Sequence, residues 1–420
     1  MIRPYPTVLW LALAAVACAR APQSSVSAST RSKDVPEVSA RALRVYRAAI
    51  VIDTHNDMPS RMLDDAYDPD VRHPPGFGAR EGHTDLPRLI ESGLTAEFMS
   101  AWIDAPYAAR PGASFERAMQ HVSTIRAWVD RHPDRLTFAT SAADVRRAKQ
   151  EGKVAILIGV EGGHAIESSL DRLRDLHARG VRYLTLTWNN GLPWAGASIG
   201  ADGTRTGGLT PFGREVVREM NRLGMLVDLS HVSDSTFFDA IAASSVPVIA
   251  SHSSARALSD FPRNLSDEQL RAIARNGGVV NVNFYSRFLD SAYRVRAEAV
   301  DAQIAAARRA LRPGPDSAAA AAKLSARRDS LIAALPQTPF SVLIDHIDHV
   351  ARVAGVDHVG IGSDFDGVSA LPVGMEDVTR LPRIAQGLLD RGYSESDVAK
   401  MLGGNMLRVM ERVLHASSSR

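Results

Sequence analysis

The fold is indicated most clearly by the stretch V-A-I-L-I-G-V-E-G-G-H, which covers residues 154–164. Its first part is a short run rich in apolar and β-branched residues, which predicts a buried β-strand. The run ends at Glu161, and two glycines and His164 follow it directly. The stretch therefore predicts a strand with polar residues at its carboxyl end.

Seven further runs of this kind lie before and after it and alternate with amphipathic stretches, a pattern typical of βα units and a parallel sheet. The eight predicted strands are Ile50–Thr54, Thr95–Trp102, Val154–Val160, Arg182–Thr187, Met225–Leu229, Val246–Ala250, Gly278–Phe284 and His358–Gly362. The predicted helices between them include Phe115–Arg131, Ser168–Ala178, Pro211–Leu223 and Asp267–Arg275. Eight units predict the α/β class and a closed (β/α)₈ barrel of the TIM type, and periodicity alone leaves a doubly wound sheet open.

Composition limits the classes of function. The 420 residues include 45% hydrophobic side chains, enough for a large core, and α/β barrels of this length form single domains. A formal net charge of +2 without a dense Lys/Arg cluster argues against a nucleic-acid partner. The only cysteine is Cys18, so the chain has no internal disulfide and no cysteine-centred zinc site.

The N-terminus has the features of an export signal. Arg3 precedes the apolar segment Val8–Ala17, which is too short to span a bilayer. Residues 15–18, A-V-A-C, resemble a lipobox, although Leu is more usual where Ala15 stands. We therefore predict a bacterial envelope or periplasmic protein anchored to the membrane by lipidation of Cys18, and an ordinary cleaved signal peptide is the alternative. The predicted organisation is a signal peptide at 1–18, a flexible Ser/Ala/Pro-rich tether at 19–45 and the barrel at 46–415.

Potential metal ligands follow four of the predicted strands. They are His55 and Asp57 after the first, Glu161 after the third, His231 after the fifth and His252 after the sixth. The carboxyl ends of barrel strands converge on one face, so these side chains should meet there. Imidazole nitrogens and carboxylate oxygens gathered together suit a divalent metal, above all zinc. We interpret the other polar residues of this type as caps, supporting partners or surface groups: Asp53, His83, Asp85, His177, Asp228 and His358.

Seven motifs occur in one order along the chain. They are V-I-D-x-H-N-D-x-P (51–59), E-G-G-H (161–164), Y-L-T-L-T (183–187), D-L-S-H (228–231), S-H-S-S-A (251–255), R-N (263–264) and G-S-D-F-D-G (362–367). This set resembles the membrane dipeptidase family, also called renal dipeptidases, of the amidohydrolase superfamily. The likeness extends from about residue 45 to residue 413 and includes G-N-x-x-R at 404–408.

The resemblance implies a barrel that holds two zinc ions. It places His55 and Asp57 on one ion, His231 and His252 on the other, and Glu161 as a bridge between them. A hydroxide bridging the ions would be the nucleophile, because paired zinc ions lower the pKa of bound water. The implied function is a zinc-dependent dipeptidase that hydrolyses the peptide bond of small peptides. The sequence does not determine the oligomeric state, and a homodimer is one possibility.

The resemblance also assigns substrate contacts. It implies that Asp364 meets the substrate amino group and carries the proton, with Asp366 as the second candidate for that role. It implies that Arg263 binds the terminal carboxylate, for which a guanidinium offers a bidentate fit.

Trp188 departs from the family pattern. Family members carry a substrate-contacting histidine after the Y-L-T-L-T motif, and an indole donates one N–H but cannot act as an imidazolium. We expect Trp188 to contact substrate, with Asn189 or Asn190 as a compensating donor. One alternative to the dipeptidase function is another amidohydrolase, which would cleave N-acyl amino acids, lactones or β-lactam-like amides. A second alternative is a non-catalytic envelope lipoprotein, but a protein of that kind should have lost metal ligands.

An insertion is expected at about residues 290–337, between the seventh and eighth predicted strands. It is rich in Ala and Arg, and P-G-P at 313–315 divides it into two helical stretches. We interpret it as a solvated helical hairpin, and a lid or partner surface is the alternative.

Overall fold

A ring of parallel strands forms the centre of the molecule, shown by a computed structural model that describes residues 35–199, 207–311 and 317–414. In these ranges the strands are Ile52–Asn56 (β1), Ala96–Trp102 (β2), Leu136–Phe138 (β3), Val154–Glu161 (β4), Val181–Thr185 (β5), Leu226–Asp228 (β6), Ile249–Ala250 (β7), Val279–Val282 (β8) and Val359–Ile361 (β9). The order is β2-β1-β9-β8-β7-β6-β5-β4, and β2 pairs with β4, which closes the ring. The predicted (β/α)₈ barrel is therefore confirmed, and the doubly wound alternative is wrong.

Strand β3 was not predicted and does not belong to the ring of eight. It pairs with the first residues of β4, from Leu136↔Val154 to Phe138↔Ile156, whereas β5 pairs with β4 from Ile158 onward. Because β2 occupies one edge of β4 along its length, β3 and β5 share the other edge. Strand β7 is shorter than the predicted Val246–Ala250, since Pro247 has no N–H to donate to a neighbouring strand.

Helices surround the ring and alternate with its strands. They are Ala40–Ala48 (α1), Met58–Asp64 (α2), Leu86–Ser92 (α3), Ala113–Arg131 (α4), Ala142–Glu151 (α5), Leu170–Ala178 (α6), Pro211–Leu223 (α7), Asp234–Ala243 (α8), Asp267–Asn276 (α9), Ser286–Leu289 (α10), Ser291–Arg309 (α11), Ser317–Ala333 (α12), Phe340–Ala354 (α13), Pro382–Asp390 (α14), Glu395–Ala399 (α15) and Asn405–Leu414 (α16). None of the helices within the described ranges is long and apolar enough to cross a membrane.

Helix α1 begins inside the segment that was predicted to be a tether. The Ser39 side chain accepts a hydrogen bond from the Ala42 backbone, and Ala42, Val45 and Tyr46 are buried. A capped helix with a buried apolar face belongs to the domain, so the tether boundary predicted at residue 45 is too late. The predicted signal peptide and Cys18 lie outside the described residues.

The predicted insertion forms helices α11 and α12 between β8 and β9. Their contact includes a small apolar cluster of Tyr293, Ala297 and Ile332, and an ion pair of 2.6 Å between Arg328 Nε and Asp301 Oδ1. The two helices thus form the hairpin that the sequence predicted, and the P-G-P break lies outside the described residues.

The interior of the barrel is filled near the amino ends of the strands. Apolar side chains of β1, β6, β7 and β8 pack in one cluster with those of α16, including Met406, Val409 and Met410. Polar side chains follow at the opposite, carboxyl ends of the strands, where the predicted ligands lie.

Candidate metal centre

The five predicted ligand side chains meet at the carboxyl ends of the strands and are all buried. Glu161, the last residue of β4, lies between two groups of them. Its Oε1 atom is 2.8 Å from His231 Nε2 and 3.3 Å from His252 Nε2. Its Oε2 atom is 3.5 Å from His55 Nε2, which is 3.4 Å from Asp57 Oδ2. One carboxylate therefore directs a separate oxygen towards each of two ligand groups.

The backbone at the strand ends directs these side chains inward. His231 follows β6 with φ of 68°, and Asp364 follows β9 with φ of 64°. Such left-handed conformations are uncommon for residues with a Cβ and cost about 1–3 kcal/mol. Two left-handed residues at one site indicate that the backbone fixes the direction of these side chains at a cost in folding free energy.

Each histidine is oriented through the nitrogen that faces away from the centre. His231 Nδ1 donates to Asn189 Oδ1 at 3.0 Å, so its Nε2 keeps a lone pair directed towards Glu161. His55 Nδ1 lies 2.9 Å from the Tyr183 hydroxyl, and His252 Nδ1 lies 2.8 Å from Ser251 Oγ. Partners of this kind fix the ring orientation of metal-binding histidines.

Asn189 thus orients His231 through its oxygen, and its side chain also borders the cavity, where the sequence suggested it as a donor to substrate. The Asn190 side-chain oxygen is buried and has no hydrogen-bond partner within the described residues.

The electrostatics of the centre fit a cation. Burial lowers the pKa values of His231 and His252 well below the usual range, so both rings are neutral, yet their Nε2 atoms are 2.9 Å apart. The Nε2 atom of His55 is buried and has no hydrogen-bond partner among the described residues. Burial opposes charge on His55, but Tyr183, Glu161 and Asp57 outweigh burial and raise its pKa well above the ordinary value.

Facing lone pairs in a buried site are costly unless a positive charge lies between them. Two groups have ligand atoms within 4.8 Å of one another, His55–Glu161–His252 and His55–Asp57–Asp364. Their nitrogen and oxygen atoms are the ligands that zinc binds in catalytic sites, so the residues fit divalent metal ions of this type.

Asp364 and Asp366 occupy different surroundings, although both follow β9. Asp364 Oδ2 accepts a hydrogen bond of 2.7 Å from Asn283, and burial raises its pKa to about 6. Asp366 instead accepts from the His83 backbone at 2.9 Å and lies 3.5 Å from Arg61. Asp364 is therefore the carboxylate that adjoins the ligand groups.

The loop after β9 approaches these carboxylates closely at Gly367. A Cβ atom there would lie 2.1 Å from Asp57 Oδ2 and 2.6 Å from Asp364 Oδ1, so only glycine fits.

Arg263 lies one layer behind the cavity wall. Its Nη2 donates to the His252 carbonyl at 3.2 Å and its Nη1 to Ser253 Oγ at 3.4 Å, while the guanidinium lies 5.3 Å from the centre of the Phe288 ring. Burial lowers its pKa to about 10, so it remains charged at neutral pH. Its Nε atom is buried and has no hydrogen-bond partner among the described residues, an arrangement that is costly for a charged group unless an anion binds.

A cavity of about 370 Å³ opens above the ligands. It is bordered by four of the five predicted ligands, by Asp364 and by several aromatic side chains, which are Phe77, Trp102, Trp188, Tyr285 and Phe288. A volume of this size suits a small molecule.

Five of the six polar residues interpreted as caps, supporting partners or surface groups have hydrogen-bond partners, whereas the Nε2 atom of His177 is buried and has none among the described residues. Asp228 accepts hydrogen bonds from Thr185 Oγ1 at 2.5 Å and Ser251 Oγ at 2.6 Å, and Ser251 in turn contacts His252. Asp53 accepts from the Ser363 backbone at 2.8 Å. The remaining contacts are Asp85 with Arg88, His83 with Asp366 and His358 with the Gly278 carbonyl.

Tyr183 reaches His55 because residue 159 has no side chain. A Cβ at Gly159 would lie 1.8 Å from Tyr183 Cζ. We therefore expect Gly159→Ala to destabilise the fold by about 1–3 kcal/mol and to displace Tyr183 from His55. Thermal unfolding should show a lower midpoint for this variant than for Gly207→Ala, a position where a Cβ would meet nothing within 4 Å. Equal midpoints for the two variants would show that the close approach is not required.

The fold and the site together define a (β/α)₈-barrel metallohydrolase. Residues 39–420 match the membrane dipeptidase family, peptidase family M19, and the chain belongs to this family. The resemblance stated from the motifs is thus confirmed, and the chain is a member of a family of metallopeptidases that act as dipeptidases.

Solved structures agree with this assignment. The chain is 26% identical to the probable dipeptidase PvdM from Pseudomonas aeruginosa, with a TM-score of 0.76 over 90% of this chain and 98% of that one. It is 29% identical to a dipeptidase described as a metallopeptidase of family M19, with a TM-score of 0.69 over 87% and 98% of the chains. It is also 28% identical, with a TM-score of 0.67 over 87% and 99%, to a metallopeptidase from Rhodobacter sphaeroides that is liganded with a phosphinate mimic of the dipeptide L-Ala-D-Ala.

Proposed function

We propose that this protein is a binuclear zinc dipeptidase that hydrolyses the peptide bond of free dipeptides. The position of Glu161 supports this proposal most strongly, because one of its oxygens faces His55 and the other faces His231. His55 and Asp57 would hold one ion and His231 and His252 the other, with Glu161 shared between them. When bound, two zinc ions supply an activated water and polarise the scissile carbonyl.

Asp364 has the surroundings that a proton carrier requires. Asn283 donates to its Oδ2 atom, which leaves Oδ1 for the substrate amino group. A buried carboxyl with pKa of about 6 can both release and accept a proton near neutral pH. Asp364 would therefore orient the substrate through its amine and deliver a proton to the leaving nitrogen.

The other end of the substrate would be recognised by Arg263. Its guanidinium is buried, charged and close to Phe288 and His252, which both border the cavity. A substrate carboxylate would satisfy this charge with two parallel hydrogen bonds. The ligand of the Rhodobacter relative supports a free dipeptide as the substrate class and supports tolerance of a D-residue at its C-terminal position.

A comparison of free and acylated substrates tests the proposed function. The zinc-loaded enzyme should hydrolyse L-Ala-L-Ala and L-Ala-D-Ala and should be slow on their N-acetyl forms and on N-acyl amino acids, because Asp364 then loses its ammonium partner. Faster cleavage of N-acyl amino acids would favour the other amidohydrolase activity, for which Trp188 in place of the family histidine gives a reason. Absence of any hydrolysis would favour the non-catalytic lipoprotein.

Replacing Arg263 with lysine should impair catalysis although the positive charge is kept. A lysine cannot form the bidentate contact, and we expect kcat/KM on free dipeptides to fall by about 10- to 100-fold. Wild type should also cleave amidated dipeptides more slowly than free ones, whereas the variant should distinguish them less. Equal turnover of free and amidated peptides by wild type would contradict this role.

We further propose that the protein is exported and lipidated at Cys18, on the basis of the apolar segment and the A-V-A-C sequence. Cys18→Ser should remove the acyl chains and release the protein from the membrane fraction, with activity unchanged. Mass spectrometry of the mature N-terminus provides the measurement. An unmodified residue 18 or cleavage at another bond would instead support an ordinary secretory signal.

A further inference from the structure

Two tryptophans form one side of the cavity. Trp102 is the last residue of β2, where it is in register with Glu161, and Trp188 follows β5. Their rings meet edge to face, with centroids 5.2 Å apart and an interplanar angle of 72°. Both side chains border the cavity, and we call this pair the tryptophan wall.

The tryptophan wall is fixed relative to the metal ligands. The Trp188 ring lies 6.4 Å from the ring of His231, and the next residue, Asn189, is hydrogen-bonded to that histidine. Edge-to-face aromatic pairs are favourable beyond the area that they bury, so each indole holds the other in place. The wall is therefore a preformed apolar surface beside the reacting centre.

Charges near the cavity mouth are already paired. Asp64 forms an ion pair of 2.5 Å with Arg117, and Asp65 forms one of 3.0 Å with Arg61. A cationic side chain of a substrate would have to compete with these arginines for the carboxylates. A large apolar or aromatic side chain needs no such exchange and gains from leaving water.

The strand order indicates which part of a dipeptide meets the wall. β2 and β5 flank β4, whereas β7 and β8 lie on the opposite side of the ring. Arg263 follows β7, and Tyr285 and Phe288 follow β8, so the C-terminal residue of the substrate lies on that side. With the amine at Asp364 after β9 and the scissile carbonyl beside Glu161, the N-terminal residue would direct its side chain towards β2 and β5.

We propose that the tryptophan wall of Trp102 and Trp188 is the binding site for the side chain of the substrate's N-terminal residue and selects a large apolar or aromatic one. This inference rests on the proposed dipeptidase function. Burying a phenylalanine side chain against the wall should raise kcat/KM by about 10- to 100-fold over glycine at the same position.

The test uses the zinc-loaded enzyme and matched pairs of dipeptides. Wild type, Trp188→Ala and Trp102→Ala are assayed on Gly-Ala, Phe-Ala and Ala-Phe. We expect wild type to prefer Phe-Ala to Gly-Ala by the factor above, and we expect each alanine variant to lose most of that preference, measured as the ratio of kcat/KM on the two dipeptides. Ala-Phe provides the internal control, because its aromatic group lies at the other end.

Conservative variants separate binding from folding. Trp188→Phe keeps an aromatic ring and should restore part of the preference for Phe-Ala that Trp188→Ala loses. An equal loss on all three dipeptides would overturn the inference, since it would show a structural role, and so would a selective loss on Ala-Phe. Both results leave wild-type hydrolysis intact and hence the proposed function; if wild type cleaves none of the dipeptides, the proposed function fails and this inference fails with it.

Discussion

Glu161→Gln is expected to abolish dipeptide hydrolysis, with a loss of kcat/KM of about 10⁴-fold or more. The amide has the shape of the carboxylate but no charge, and this carboxylate is the group that lies between His231 and His55. Without the charge of Glu161, the predicted ligand set consists of three imidazoles and a single carboxylate, that of Asp57. We expect the zinc content measured by mass spectrometry of the intact protein to fall together with activity.

The control is Glu151→Gln at the end of α5, where the glutamate forms ion pairs with Lys153 and Arg147. This variant loses a carboxylate of the same size, and it should keep wild-type zinc content and activity. If Glu161→Gln kept more than a tenth of wild-type activity with its full metal content, a shared position between two ions would be excluded.

Asp364→Asn is expected to lower kcat by about 10²- to 10⁴-fold, the usual range for a lost acid or base. The amide can still contact Asn283, but it cannot carry the proton or attract the substrate ammonium group. Zinc content should change little, because His55, Asp57 and Glu161 remain. The effect should therefore appear in kcat rather than in metal occupancy.

Asp366→Asn provides the comparison for this variant. Asp366 faces His83 and Arg61, so its loss should cost much less activity than the loss of Asp364. A larger effect at Asp366 would reverse the assignment of the proton carrier.

The barrel could be predicted from the sequence because each strand of the ring overlaps one of eight apolar runs that alternate regularly with amphipathic stretches. Strand β3 could not, since Leu136–Phe138 lies outside the ring and pairs only with the first residues of β4, on an edge that it shares with β5. The boundary near residue 45 was misplaced because Ala and Ser occur both in tethers and in capped helices such as α1. Neither error affects the carboxyl ends of the strands.

The predicted ligands were accessible to sequence analysis because each lies within a few residues of the end of a predicted strand. The groups that orient them were not, because they meet only in three dimensions: Tyr183 contacts His55 across 128 positions, and Asn283 contacts Asp364 across 81. The different surroundings of Asp364 and Asp366 could not be predicted either. The two aspartates lie two positions apart in one loop and have almost the same φ, 64° and 63°, yet their side chains contact different residues. Trp102 was placed in a strand, but its contact with Trp188 depends on the closure of the ring between β2 and β4.

We propose that catalysis depends on two metal ions held by His55, Asp57, Glu161, His231 and His252. The most direct measurement removes metal with a chelator, adds zinc back in steps, and records bound zinc and hydrolysis of L-Ala-L-Ala in the same samples. We predict no activity without metal and full activity at about two zinc ions per chain. Full activity of the metal-free protein, or saturation of activity at one ion per chain, would contradict a dependence of catalysis on two metal ions.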